Sequence, residues 1–241
     1  MFTKYFIIVI LIIVGIAATG LKADVKIVDA KGDVRVRFGI EEFWHKAQIG
    51  LILKNIDSIL SGEDGQVTLE PEEGAVFKLG SNAVLDIADI RQIQQRELFM
   101  YLMSQKIDQL ETKDEDTPVK VGNVSIVHGD SKQIQNSIAT DSVQEDWYLL
   151  EINGALALYD HRYFPNAIIK LMKIQNKYDS ARDLGKIDYY IGKSFEALND
   201  PGQAQDAYKN ALDEYKRTKE PSSKEQDWVA DARDALNRFN Q

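Results

Sequence analysis

Histidine offers the widest range of chemistry in this chain, as general acid, general base or metal ligand, and there are three: His45, His128 and His161. They fall in three separate stretches. None has a second histidine four positions on, the spacing that lets one helix face present two imidazoles to a metal. No G-x-S-x-G turn, P-loop or H-E-x-x-H signature occurs. Acid clusters are more frequent. Glu41-Glu42, Glu63-Asp64 and Glu70-Pro71-Glu72-Glu73 carry the hard oxygens that calcium takes, but without EF-hand spacing, and acidic loop tips are ordinarily solvated. Carboxylate pairs also serve glycoside hydrolysis, yet sequence spacing does not separate such a pair from a solvated face. The chain has no cysteine, which removes disulfides, thiol nucleophiles and cysteine-ligated metals. The expectation is a non-enzymatic binding or scaffold protein with no catalytic residue, metal or cofactor.

The 241 residues suffice for one or two domains. Residues 1–23 hold Lys4 and Lys22 and no acid, so the remainder carries 27 basic and 38 acidic residues, net −11. That balance argues against nucleic acid, whose phosphates call for a basic stripe. Lys4, then the uncharged run Phe6–Ala18, then Leu21-Lys22-Ala23 before Asp24 has the profile of a signal peptide. Extended to Leu21, the same run could remain as an uncleaved anchor, close to the roughly 20 residues a spanning helix needs. The expected location is therefore periplasmic or secreted, or anchored in the cytoplasmic membrane with the bulk outside. A membrane is a partner only in the anchored case.

From Lys26 to Ile87 the apolar period is two. Val34-Arg35-Val36-Arg37-Phe38, Val67-Thr68-Leu69-Glu70, Ala75-Val76-Phe77-Lys78-Leu79 and Val84-Leu85-Asp86-Ile87 alternate, and Gly62-Glu63-Asp64-Gly65, Glu72-Glu73-Gly74 and Gly80-Ser81-Asn82 punctuate them. Turn signals every eight to ten residues are all-β spacing. The series Gly32-Asp33-Val34-Arg35-Val36, Trp44, Ala47, Gly50-Leu51, Asp57-Ser58, Gly62 and Gly65–Leu69, closing with Gly74–Leu85, resembles the FecR domain. Asn55-Ile56-Asp57 stands where that family usually has glycine-aspartate. The resemblance implies a β-solenoid-like or sandwich-like domain outside the cytoplasmic membrane. The family's founding members relay iron-uptake signals to a sigma factor through a cytoplasmic segment and one membrane helix. Only Met1–Tyr5 precede the apolar run here, so that relay is not expected. Phe43 and Trp44 form a candidate recognition patch, with strand packing as the plainer role for Trp44.

Ile90, Ile93, Leu98, Leu102, Met103, Ile107 and Leu110 lie mostly three to five apart, predicting an amphipathic helix that covers a sheet face. Residues 111–145 read as a linker. Thr117-Pro118 breaks any helix, Val119–Val127 has the composition of one more strand, and Gly129–Gln144 is polar and without aromatics.

Five helical patterns follow: Trp147–Tyr159, Phe164–Tyr178, Leu184–Leu198, Gly202–Arg217 and Lys224–Phe239. Ala155 and Ala167, Gly192 and Ala204, and Leu171 and Tyr208 match in frames 37 residues apart. That period, with small residues where paired helices approach, resembles the tetratricopeptide repeat. Lys177–Ser180 and Asp188–Phe195 further resemble envelope repeat proteins of the outer-membrane assembly and division-associated type. In such repeats the first helices line a groove. The resemblance places Leu149, Ile152, Leu156, Tyr159 and Asp160, with Lys186, Tyr189, Lys193 and Glu196, on it; packing between hairpins is the other role open to the tyrosines.

The expected fold is thus two domains: a signal peptide or anchor (1–23), an N-terminal all-β FecR-like domain with its trailing helix (24–110), a linker (111–145) and a C-terminal all-α, tetratricopeptide-like domain with a capping helix (146–241). The expected function is an exported envelope adaptor that holds a protein partner in the repeats and an envelope component on the β domain. The alternatives are a cell-wall or polysaccharide-binding protein, for which a glycan is the partner, and an accessory component of an envelope signalling system. So few repeats also make a homo-oligomer a candidate assembly.

Overall fold

The computed structural model describes residues 24–72, 74–111, 140–178, 184–218 and 227–239. The expected leader (1–23), the expected strand at Val119–Val127, His128 and Glu73 lie outside the described residues. Strands β1 (Val25–Lys31), β4 (Ile52–Leu53), β6 (Gln66–Pro71) and β7 (Phe77–Leu79) form one antiparallel sheet in the order β4-β1-β6-β7. Strands β2 (Val34–Arg37), β3 (His45–Lys46), β5 (Ser58–Ser61) and β8 (Ala83–Asp86) form a second, in the order β3-β2-β5-β8. Both sheets feed one core. Val25, Ile27, Val34, Val36, Val67, Leu69, Phe77 and Leu79 are buried in it, while Lys26, Arg35 and Lys78 between them stay in water. Burial of this kind stabilises by roughly 1.5–3 kcal/mol per large apolar side chain.

Turn chemistry fixes the register. At one end the amide of Gly62 donates to Asp33 O (2.8 Å), that of Asp33 to Asp64 Oδ1 (3.0 Å), and that of Asn82 to Gly62 O (2.9 Å), so three turns are bolted together. Gly32 sits there at φ +66°, and a Cβ on it would lie 2.1 Å from Asp64 O, so only glycine fits. At the opposite end the buried Asp57 accepts from the amides of Gly39 (3.0 Å) and Lys54 (2.7 Å). This one carboxylate organises the turn in which the sequence departs from glycine-aspartate.

A short 3-10 turn, Ile87–Ile90, leads into the helices: α1 (Gln95–Glu111), α2 (Thr140–Asp160), α3 (Phe164–Lys177), α4 (Leu184–Ala197), α5 (Pro201–Thr218) and α6 (Asp227–Phe239). Proline stands in the first turn of α3 and opens α5, where its missing N–H costs nothing. Asp200 Oδ1 accepts the amide of Gln203 (3.2 Å) and so caps α5. Arg162 and Asn199, both left-handed, reverse the chain between α2 and α3 and between α4 and α5. Ala155, Gly192, Ala204, Tyr208 and Ala211 are buried in the helical core.

The sheets and helices are not strung on a tether. Leu158 of α2 and Ala167 of α3, both fully buried, belong to the sheets' core. Helix α2 lies against β8: Asn153 Nδ2 donates to Asn82 O (2.7 Å), and a Cβ on Gly154 would meet Val84 O at 2.0 Å. Beyond it, His161 stacks on Phe77 (4.4 Å between centroids), and its Nε2 lies 3.0 Å from both the amide N and the carbonyl O of Lys78. Depending on the tautomer, the ring accepts from that amide or donates to that carbonyl, so it occupies the outer edge of strand β7. From α3, Asn166 Nδ2 donates to Asp89 O and Arg91 O (2.8 Å each), and Lys170 Nζ reaches Asp86 (3.0 Å) and Asp89 (2.8 Å).

Two expectations need correction. Helix α1 does not cover a sheet face: Leu98 packs into the helical core, α1 meets α3 through Gln105 and Asn176 (3.0 Å), and Phe99, Met100 and Met103 are exposed. Leu158 and Ala167, from α2 and α3, pack on the sheets' core instead. The expected linker also ends early, because α2 begins at Thr140, where a threonine-aspartate-serine run of helix-starting residue types had counted as tether.

Candidate functional site

The helices carry an aromatic strip. Tyr159 near the end of α2, Tyr189 and Tyr190 in α4 and Trp228 in α6 follow one another at centroid distances of 5.4 Å (Tyr159–Tyr190), 5.2 Å (Tyr190–Tyr189) and 5.9 Å (Tyr189–Trp228). Rings from three helices therefore form one run of contacts, which passes through the core residue Tyr189. Tyr159, Tyr190 and Trp228 are half-buried, so each offers part of its ring to solvent, whereas Tyr189 is 5 % exposed and its hydroxyl donates to Asp231 (3.0 Å). Burial, then the neighbouring phenol and the Asp160 and Glu196 carboxylates, raise the Tyr159 pKa; burial with Asp160 and Asp231 does the same to Tyr190. Both phenols therefore keep their protons at neutral pH.

Charge borders the strip. Asp160 is exposed, Lys186 and Lys193 are half-buried, and Glu196 accepts from Tyr208 (2.7 Å) and Arg238 (2.9 Å). Burial pushes the Glu196 pKa up, but these two donors outweigh it and hold it below the usual value. Tyr208 in turn is raised, by burial and by the same carboxylate.

Of the nine residues expected on a groove, Tyr159, Asp160, Lys186, Lys193 and Glu196 border this strip. Ile152 and Tyr189 are core residues and do not line an open groove: each falls on the helix face that packs against the next hairpin. Leu156 also packs against that core, and Leu149 is exposed. Tyr190, Trp228 and Asp231 were missed, although Tyr190 adjoins a chosen residue and one helical step moves it from core to surface.

On the sheet unit Phe43 is exposed, while Trp44 packs 6.1 Å from Trp147 of α2 with the Arg37 guanidinium 5.1 Å over its ring. Trp44 thus joins sheet to helix, which leaves Phe43 as the accessible half of that pair. His45 pairs with Glu41 (2.9 Å) and His161 with strand β7, so neither is near the other. Among the described residues no three histidines or acids converge as a metal site. Helices α3, α4 and α5 also border an open polar cavity of about 430 Å³, lined by Gln175, Asp188, Asn210, Asp213, Glu214 and Arg217. Burial pushes the Asp188 carboxyl up to about 6 despite a hydrogen bond from Gln175 (2.8 Å).

No family model matches the chain, and no curated protein and no solved structure is detectably similar to it.

Proposed function

We propose that the chain is a non-enzymatic exported adaptor of the cell envelope whose helices, arranged as tetratricopeptide-like hairpins, hold an extended or helical segment of a protein partner. The aromatic strip of Tyr159, Tyr190 and Trp228 is the observation that carries this reading. Half-buried rings on rigid helices contribute contact area at little entropic cost, and their protonated hydroxyls and bordering charges supply direction. The β unit, as a FecR-like two-sheet sandwich, docks the adaptor to an envelope component. Its immobile attachment to α2 and α3 would present the strip at a fixed orientation.

The test is a crosslinking pull-down from envelope extract with the full chain as bait, beside a Tyr190→Ala, Lys193→Glu form. Both residues are half-buried surface positions, so the bait keeps its fold, which a melting curve checks. A discrete protein captured by the parent and released by the double change supports the adaptor. Equal capture by both forms, or retention of glycan alone, contradicts it.

A further inference from the structure

We propose that the β3–β4 flank of the sheet unit rests on a phospholipid surface, with Ile40, Phe43 and Ile56 in its interfacial layer. Five large apolar side chains stand out on this one flank: Ile40 is 103 % exposed, Phe43 75 %, Ile56 71 %, Ile49 65 % and Ile52 56 %. Ile40 and Ile56 belong to neighbouring loops, since a Cβ on Gly39 would touch Ile56 Cδ1 at 3.2 Å. A monomer gains nothing by exposing them together, and contiguous apolar surface marks a contact.

The geometry chooses among occupants. Adding a strand, whether from a peptide or a second copy, needs an edge with backbone groups to offer, and β3 and β4 are two residues each. Side-chain insertion needs no such edge. Lys26, Lys46 and Lys54 are exposed on the same flank, with stems long enough to lie along acyl chains while their ammonium groups meet phosphates. Glu41 is engaged by His45; Glu42 and, directly across from Lys26, the exposed Glu70 are the opposing acids.

Chain route supplies the decisive argument. Val25 of β1 pairs with Leu53 of β4 on one side and with Pro71 of β6 on the other, so Asp24 leaves the fold at the end of the sandwich where the turn after β4 also lies. In the sequence only Thr19–Ala23 separate it from the apolar run Phe6–Ala18, a reach of at most ~17 Å. The headgroup layer is on the order of 5–8 Å deep. Whenever that run is held in a bilayer, the end of the sandwich that carries Ile40 and Ile56 lies within that reach of its surface, while Gly154 and His161 seat the helices on β8 and β7.

Because the chain lacks cysteine, single reporters are unambiguous. Ile40→Cys, Ile56→Cys and, at the far turn, Glu63→Cys would each carry an environment-sensitive fluorophore in the full chain, mixed with phosphatidylethanolamine–phosphatidylglycerol vesicles with and without bilayer-embedded nitroxide lipids. The expected result is a blue shift and nitroxide quenching at positions 40 and 56 and neither at 63. Equal behaviour at all three positions, or a chain that does not float with the vesicles, overturns the proposal. A shift that develops without vesicles as the chain is concentrated assigns the flank to a second copy and overturns it equally. Melting curves of the labelled forms confirm that the fold is intact.

Discussion

The two flanks of the sheet unit solve the same problem in opposite ways. At β7 and β8 the edges are closed: a histidine side chain occupies Lys78, the backbone of α2 runs against Val84, and Leu158 and Ala167 complete the core. At β3 and β4 the edges are cut to two residues each, rimmed by exposed isoleucines and, among the described residues, left bare beyond the contact of Trp44 with Trp147 of α2. An unprotected strand edge invites pairing with any other strand, and covering it or shortening it are both remedies. The difference teaches that the closed flank serves folding and the bare flank is free to serve contact. It follows that substitutions should be costly on one side and silent on the other.

The largest effect is expected from Lys170→Met at the closed flank. It keeps the stem but removes the buried ammonium that bridges Asp86 and Asp89, leaving the Asp89 carboxylate, 16 % exposed, without that partner; a loss of about 3 kcal/mol in denaturant unfolding is expected. Burial raises the Asp86 pKa, while Lys170 and Ser58 more than offset it, so the parent's folded-state value is lowered. Its contribution is present above pH 4 and lost as pH falls further, and Lys170→Met should weaken that acid dependence, leaving what Ser58 and Arg37 supply. Next comes Gly154→Ala, whose methyl has no room before Val84 O; about 2 kcal/mol should be lost, with β8 amides exchanging faster.

Asp188 sharpens the comparison from outside both flanks. With its carboxyl pushed up to about 6 from 3.8, it keeps its proton in the folded chain where the unfolded chain has released it. Stability on this account is greatest below about pH 4 and falls as pH rises toward 6. Asp188→Asn removes that fall and should stabilise the chain at pH 7 by about 2 kcal/mol, seen as a flatter curve of melting temperature against pH. The smallest effect belongs to the bare flank: Ile56→Ser should change stability by less than about 0.5 kcal/mol in the same unfolding measurement.

What the sequence revealed depended on how regular each segment was. Strands β2, β6 and β7 alternate apolar and polar residues, and helices α3, α4 and α5 fall within a residue or two of the period-derived limits. Strand β5 was not singled out, because Ser58-Ile59-Leu60-Ser61 is covered on both faces and shows no alternation. Strands β3 and β4 are too short to have a period. The closed flank was invisible for a different reason: it joins Lys170 to Asp86 and His161 to Lys78 across more than 80 residues, and no local pattern encodes such pairs. A polar stretch before α2 therefore marked a boundary between sheet and helix without showing which long-range contacts tie the two together. In the candidate site, helical period brought Tyr159 and Tyr189 to notice but could not say which of Tyr189 and Tyr190 faces solvent.

The claim that sheets and helices form one unit through the closed flank is tested most directly by native-state hydrogen exchange across a denaturant series. Amides of Leu85 in β8, Leu158 in α2 and Ile168 in α3 are all buried at or beside that seam. The account predicts that they merge into a single opening with one free energy and one denaturant slope. If the α2 and α3 amides exchange through a lower-energy opening that leaves Leu85 protected, the helices are a separate unit resting on the sheets, and the account is contradicted.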